Sequence, residues 1–465
     1  MKRARIVSNA IALCGLLLGL VTASVVAADR PPNIIIILAD DLGYGDLGCY
    51  GHPTIRTPHL DQMAAEGLRF TDFYAAAHLC TPSRAALLTG RYPIRSGMAG
   101  GPGRHVLYPN AAGGLPTNEV TIARALKANN YATTCIGKWH LGDRPEFLPT
   151  SHGFDEFFGL PYSNDMDVTS PKVRREESDS LAPNFKKFNV PLMRNLEIIE
   201  RPADQRTLTR RYTEAAERFI AVNQKQPFFL YLAHTFPHVP LFASKDFAGK
   251  SARGLYGDTV EELDWSVGEV LKALRREKLA DNTLVFFTSD NGPWLNKKLN
   301  GGSAGLLRDG KGGTWEGGHR VPAIAWWPGK IKPGRITSEF TCTMDLFNTS
   351  CQLAGVPIPS DRPMDGTDLT PVLLGTGHSK RETMFYYYGD SLYAVRKGAF
   401  KAEFTTHDGY SKELPQQHDP PLLFHLPSDP SEQYDVATNH LDVVVDMKRE
   451  VERHRSNLVP GKPQF

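Results

Sequence analysis

The chain has 465 residues, 41% of them hydrophobic and 22% charged, with a formal net charge of +2. That length supports a large core and a second, smaller domain, and the composition excludes a disordered or fibrous chain. A charge balance so near neutrality gives no global pull towards nucleic acid or anionic membranes, so any anion recognition must be local.

Residues 1–28 divide into a basic start (Lys2, Arg3, Arg5), an apolar run from Ile11 to Val26 and a small-residue end at Val26-Ala27-Ala28. This is the pattern of a secretory signal peptide. Gly15, Gly19, Thr22 and Ser24 dilute the run, which argues against a retained membrane anchor, and no other stretch is long and apolar enough to span a bilayer. Loss of the signal removes Cys14 and leaves Cys49, Cys80, Cys135, Cys342 and Cys351. An odd number in an exported chain leaves at least one thiol unpaired or chemically altered, and Cys80 is the candidate. Whether Cys342 and Cys351 pair is a matter of geometry that sequence leaves open.

Residues 33–38 are apolar on both faces, as a central parallel strand requires, and the run ends abruptly at Asp40-Asp41 before Gly43-Tyr44-Gly45-Asp46. A helix is predicted over 58–67 and a short strand over 69–74. The stretch CTPSRAALLTGR, residues 80–91, then puts Cys80 at the mouth of a helix, with Pro82 in its first turn and Gly90 as terminator. Backbone N–H groups at such an end favour an anion, and Arg84 adds a fixed positive charge. These residues alone fit either a nucleophile beside an anion cradle or a buried structural cysteine.

A helix over 117–129 leads to a strand over 131–136 that ends in Gly137-Lys138-Trp139-His140-Leu141-Gly142. Residues 143–202 are rich in Pro, Asp, Ser and Lys with weak periodicity, and read as long loops over one face. An amphipathic helix over 206–224 precedes a buried strand over 227–233 and then His234-Thr235-Phe236-Pro237-His238. A helix over 258–277 leads to a strand over 283–288 and Asp290-Asn291-Gly292. Residues 301–318 form a glycine-dense loop carrying Lys311, followed by a strand over 321–327 and a helix over 344–354. Beyond about residue 374 the pattern changes to short aromatic strands, 384–388, 392–396, 400–404 and 422–425, and a last helix near 441–457. The expected architecture is an α/β sandwich with a large mixed, mostly parallel sheet flanked by helices over residues 29–375, plus a small antiparallel-sheet subdomain over 376–465.

Four predicted strands end in polar residues: Asp40-Asp41, Lys138 with His140, His234 with His238, and Asp290-Asn291. Ligands of open α/β sheets bind outside the strands' carboxyl ends, so these groups are expected to converge on one site. Each pair alone would pass for a turn or capping residue; four together point to a site. Asp40, Asp41, Asp290 and Asn291 offer only oxygen, which selects Ca²⁺ or Mg²⁺ over zinc, and a cation relieves the repulsion among the carboxylates.

CTPSR with the following AALLTGR resembles the signature of the type I sulfatases, in which the cysteine is oxidised after translation to formylglycine. The similarity continues through ILADDLGYGD, GKWHLG, PYSND, SDNG and GKGGTWEGG in the family's order over most of residues 32–330, and is nearest the branch of arylsulfatase A and N-acetylgalactosamine-6-sulfatase. The resemblance implies an alkaline-phosphatase-like fold and a formylglycine at Cys80, made by a maturation enzyme. It also implies one Ca²⁺, favoured over Mg²⁺, on Asp40, Asp41, Asp290, Asn291 and the modified Cys80. Arg84, Lys138 and Lys311 would hold sulfate and aldehyde hydrate, with His140 beside the hydrate. His238 matches the leaving-group histidine better than His234, and Ser163 a sulfate-contacting serine. His105 with Arg104, and His319, Trp315 and Asp165, are weaker candidates for the mouth of the site.

A sulfate ester is a poor electrophile, so its hydrolysis needs a strong nucleophile and stabilised leaving oxygens. The hydrate offers two hydroxyls on one carbon: one attacks sulfur, and the other, deprotonated by His140, expels sulfate. Lys311 or His238 would protonate the departing oxygen. The expected activity is therefore sulfate removal from a sulfated sugar or polysaccharide by an exported enzyme, periplasmic or secreted in a bacterium, and lysosomal or extracellular in a eukaryote. Nucleic acid is not an expected partner. The alternatives are a phosphonate monoester or phosphodiester hydrolase built on the same parts, and a non-catalytic carbohydrate-binding pseudoenzyme.

Overall fold

The apolar run after residue 32 becomes the middle of the molecule. In the computed structural model, which describes residues 30–101 and 103–465, every residue of β1 (Asn33–Ala39) is buried. The expected signal, with Cys14, lies outside the described residues. The strands that follow β1 are β2 (Leu68–Phe70), β3 (Phe73–Tyr74), β4 (Ala132–Lys138), β5 (Glu156–Leu160), β6 (Leu192–Arg194), β7 (Glu197–Glu200), β8 (Phe228–Ala233) and β9 (Thr283–Ser289). Next come β10 (Ala323–Trp326), β11 (Arg335–Thr337), β12 (Thr341–Cys342), β13 (Thr383–Tyr388), β14 (Ser391–Lys397), β15 (Phe400–Thr406) and β16 (Gln416–His425). Ten of them form one sheet in the order β11-β2-β10-β9-β1-β8-β4-β5-β6-β7, in which β9, β1, β8, β4 and β5 run parallel.

Burial on both faces explains why β1 does not alternate. Ile35 and Ile37 pack with Tyr212, Phe219, Leu263 and Val267 of the Leu208–Val222 and Leu255–Arg276 helices. Ile34, Ile36 and Leu38 face the opposite layer, where the Cys80–Thr89, Ile122–Lys127 and Asp345–Ala354 helices contribute Leu87, Ile122 and Phe347. Each isoleucine so buried stabilises the sandwich by about 2 kcal/mol.

The expected strand over 69–74 is two short strands: β2 joins the large sheet while β3 pairs with β12. The helix expected over 117–129 is shorter, Ile122–Lys127, and starts where Thr121 Oγ1 accepts Arg124 N at 3.1 Å. Residues 143–202 are not only loops. They hold β5, β6, β7 and a Pro171–Asp179 helix, and the sheet-edge position of β7 leaves Ile198 and Ile199 exposed, which blurred the periodicity.

Strands β13 to β16 form a separate antiparallel sheet, covered by Val444, Met447 and Val451 of the Leu441–Asn457 helix. β16 begins at Gln416, earlier than its apolar part suggests, because Gln416 and Gln417 pair with Thr406 and Thr405. A buried charged joint ties this sheet to the loop that follows Lys311. Lys401 Nζ of β15 donates to Thr314 O at 2.8 Å and lies 2.7 Å from Glu432 Oε1, while Glu316 N donates to Glu432 Oε2. Cys49, Cys80, Cys135, Cys342 and Cys351 are all unpaired. Among the described residues no helix is long and apolar enough to cross a membrane.

Candidate active site

The four polar strand ends belong to four neighbouring parallel strands, β9-β1-β8-β4, so they lie together at the carboxyl end of the sheet. Close approach of these strands depends on Gly137: at φ +108° a side chain is disfavoured, and a Cβ there would lie 1.8 Å from Ala233 O of β8. Beyond the strand ends, Asp41 (φ 66°) and His140 (φ 61°) adopt left-handed backbone, a strained arrangement common where function fixes a side chain.

Arg84 is fully buried and spans the gap between strands. Its Nε donates to Asp290 Oδ2 at 2.9 Å, its Nη1 to Lys138 O at 2.7 Å, and its Nη2 lies 3.3 Å from Asp40 Oδ2. Lys138 Nζ reaches Asp40 Oδ2 at 2.5 Å and Ser163 Oγ at 3.1 Å. Lys311 Nζ donates to Asp41 Oδ2 at 2.8 Å, and His238 Nε2 lies 3.7 Å from the same oxygen. Asn291 Nδ2 donates to Asp41 Oδ1, and Asp290 Oδ1 accepts from Asp41 N. Three cations and three carboxylates are thus interleaved out of water.

Burial, reinforced by Asp290, pushes Asp40 up to about 7 against the pull of Lys138 and Arg84. Burial also raises Asp41, against Lys311, and raises the Cys80 thiol, against Lys138 and Lys311. His140 and His238 are driven well below the ordinary imidazole range, first by burial and then by Lys138 and Lys311 respectively, so both are neutral. Their tautomers follow from their partners. His140 Nε2 donates to Leu107 O at 2.8 Å and leaves Nδ1 with a free lone pair, whereas His238 Nδ1 donates to Val239 O at 2.6 Å and leaves Nε2 free.

The donor set fits a hard divalent cation. Asp40 Oδ1 and Asn291 Oδ1 are buried oxygens without a hydrogen-bond donor, in a group whose carboxylates repel one another. One ligand atom each from Asp40, Asp41 and His238 lies within 4.8 Å of the others.

Cys80 begins its helix at the floor of a cavity of about 290 Å³, with His140, Ser163, His238 and Lys311 in the wall. His105 and Asp165 also line it, Asp165 held by Arg174 at 2.5 Å. Two expected substrate contacts do not. His234 is turned into the core, with Nε2 3.4 Å from Ser266 Oγ and its ring against Tyr212. His319 Nδ1 donates to Ala75 O at 3.0 Å, and its ring packs between His78 and Tyr386. Both are core histidines, fully buried and held by packing and hydrogen bonds within the protein. Trp315 likewise lies away from the cavity, against Phe424 and under Arg308.

A sulfatase model matches residues 32–356, and a model of the C-terminal region of aryl-sulfatase matches residues 379–465. The chain belongs to the sulfatase family. This sulfatase is 46% identical to human arylsulfatase A over 445 residues, which cover 90% of this chain and 85% of the relative. It is 43% identical to the N-acetylgalactosamine-6-sulfatase of Canis lupus familiaris over 476 residues, covering 94% and 88%. Its fold matches the solved PsFucS1 sulfatase from Pseudoalteromonas sp. with a TM-score of 0.82 at 29% identity, covering 93% of this chain and 92% of that one. The architecture is the alkaline-phosphatase-like sandwich expected, and the activity is sulfuric ester hydrolysis.

The rest of this sulfatase's cavity wall escaped the sequence reading. Trp294 packs on His238 with ring centroids 5.4 Å apart, carries Lys311 Nζ 4.4 Å from its own centroid, and stacks on Tyr410 at 5.0 Å. Tyr108, Tyr388 and Arg174 also line the cavity, as does the expected Arg104. Trp294 lies within four residues of Asp290, which is the one signal that would have found it. Tyr388 and Tyr410 come from the C-terminal sheet and its loop, far along the chain.

Proposed function

We propose that this sulfatase removes sulfate from a sulfated carbohydrate, using a formylglycine made from Cys80 and a Ca²⁺ ion held by Asp40, Asp41, Asp290, Asn291 and the modified Cys80 side chain. The observation that carries the reading is Cys80 itself: a side chain at a helix N-terminus, on the floor of a cavity, facing Lys138 and Lys311 with no thiol partner. Ca²⁺ suits the site better than Mg²⁺, because the donors are several protein oxygens from one enclosed cluster, whereas Mg²⁺ tends to keep most of its water. Carbohydrate is favoured by the polar and aromatic wall of Tyr108, Trp294, Tyr388 and Tyr410, and by the sugar in the name of the canine relative.

The formylglycine hydrate would supply a hydroxyl nucleophile for sulfur and a second hydroxyl through which sulfate is released. The cation would neutralise the carboxylates and favour the ionised nucleophile. Arg84, fixed by Asp290 and Asp40, holds the first turn of the helix and the strand ends in register. Lys138 and Ser163 bind sulfate oxygens from one side, and Lys311 from the other. His140 receives a proton at Nδ1, since Nε2 is committed to Leu107 O. Lys311 and His238 share Asp41 and together manage the proton of the departing sugar oxygen: Lys311 carries one as an ammonium, and His238 presents the free Nε2. Trp294 keeps both side chains in place and excludes water. The leader pattern supports export, to the periplasm or medium if the host is bacterial, and formylglycine requires a maturation enzyme as partner.

Cys80→Ser, assayed on aryl sulfate and on defined sulfated sugars, is expected to abolish turnover and leave thermal unfolding unchanged. Near-normal activity in that variant, shown to lack an aldehyde, would refute the mechanism. Parallel kinetics on aryl phosphate and phosphonate esters test the competing chemistry, and a preference for the phosphorus ester would reverse the assignment.

A further inference from the structure

The mouth of the cavity carries one cation more than the sulfate chemistry uses. Arg84, Lys138 and Lys311 are engaged by Asp40, Asp41 and Asp290 on the inside, and Arg174 is taken by Asp165. Arg104 lines the same cavity as Cys80, is exposed, and pairs with no carboxylate among the described residues. His105 beside it is held neutral by burial, so the free charge at the mouth is that of Arg104.

The backbone that presents Arg104 is anchored rather than loose. Gly101 N donates to Arg104 O at 2.7 Å and Arg104 N to Gly101 O at 3.0 Å, a reciprocal antiparallel bridge. Behind it the C-terminal residues run alongside, with Gly461 N donating to Ile94 O and Gln464 N to Gly97 O. Ahead of it His105 sets its ring edge-on to Tyr388 at 5.0 Å, and Leu107 is bound to both Thr81 and His140. A cation on backbone anchored in this way stands at the rim of the cavity of about 290 Å³ that Cys80 also lines.

We propose that Arg104 recognises a second anionic group on the substrate, so that the preferred substrate is a sulfated sugar bearing a further sulfate or a carboxylate near the ester that is cleaved. This rests on the carbohydrate reading above. The shared chemistry is an oxyanion offered to a guanidinium, which binds sulfate and carboxylate alike through paired N–H donors.

The test uses matured full-length protein, an aryl sulfate, and matched pairs of sulfated sugars. In one pair the members differ by one added sulfate; in the other a carboxylate replaces the hydroxymethyl group of the same or the adjoining residue. Wild type is expected to favour the dianionic member of at least one pair by about ten-fold in kcat/KM, and the pair that shows it identifies the anion. Arg104→Gln is expected to remove that preference through KM, with kcat and the monoanionic member changing far less, and Arg104→Lys to restore part of it. Added salt should shrink the preference in wild type and leave the variant flat. Equal kcat/KM within both pairs in wild type, or an equal loss on both members in Arg104→Gln, would overturn the proposal. Turnover of the aryl sulfate with no sugar turned over would overturn the carbohydrate reading and the proposal together.

Discussion

Lys401→Met removes the ammonium from a buried group of carboxylates. Lys401 Nζ lies 2.7 Å from Glu432 Oε1, 3.2 Å from Glu403 Oε1 and 3.5 Å from Glu316 Oε1, all fully buried. At an effective dielectric near 20 each contact with an ionised carboxylate is worth roughly 5 kcal/mol gross, set against a desolvation cost of several kcal/mol per ion. Removing one partner and stranding the others costs about 3–5 kcal/mol. With roughly 2 cal/mol/K of unfolding entropy per residue, a chain of this size then loses about 3–6 °C in Tm. The deficit has a pH signature. Burial holds Glu403 at about 8 and Glu432 at about 7, above the ordinary 4.5. The folded state therefore retains protons that the unfolded state has released, and stability falls as pH rises from about 4.5 to about 8. Without Lys401, which lowers both groups, the carboxyls keep their protons to still higher pH and the fall continues further, so the variant's deficit in thermal unfolding should be larger at about pH 9 than at about pH 5. Activity should drop as well, since Thr314 and Glu316, tied to Lys401 and Glu432, follow Lys311 directly. A Tm within about 1 °C of wild type at high pH, or a deficit that does not grow with pH, would refute the reasoning.

Adding Ca²⁺ to metal-stripped protein should raise Tm, with about 2.7 kcal/mol of stabilisation at a hundred-fold excess over Kd, and Mg²⁺ should raise it less. A Tm indifferent to both ions would count against the cluster of Asp40, Asp41, Asp290 and Asn291 as a cation site. Gly137→Ala places a Cβ 1.8 Å from Ala233 O at a backbone φ of +108°. It should destabilise the protein by at least about 2 kcal/mol and remove most of its activity by displacing Lys138 and His140. Wild-type Tm and turnover in that variant would show that β4 and β8 can separate without cost.

The parts of the fold that were legible share a physical cause. β1, β8 and β9 are buried on both faces, so continuous apolar runs mark them, and their abrupt polar ends mark the site. β6 is only three residues long and the edge strand β7 beyond it is largely exposed, so Pro, Asp and Lys around them masked any pattern. Within the site, Asp40, Arg84, Lys138 and Asp290 stand at strand ends or on the helix after Cys80, where local sequence announces them. His234 and His319 carry the same local signal, yet Ser266, Tyr212, Ala75 and Tyr386 hold them in the core, a tertiary outcome that residue type does not encode. Tyr388, Tyr410 and Arg174 reach the cavity through long-range packing of the second sheet, its loop and the Pro171–Asp179 helix, with no motif to flag them.

The adjacency of β9, β1, β8 and β4 also bears on how the enzyme comes into being. Leu38 is opposite Ala233 and Ala39 opposite Ser289, so the site's groups meet only after segments separated by most of the chain have found one another in parallel register. Such contacts form late and slowly, because loop closure precedes any reward from pairing. Turnover is therefore a reporter of complete folding: a nascent or partly unfolded chain, even with its helix around Cys80 in place, has no hydrolytic centre to misuse.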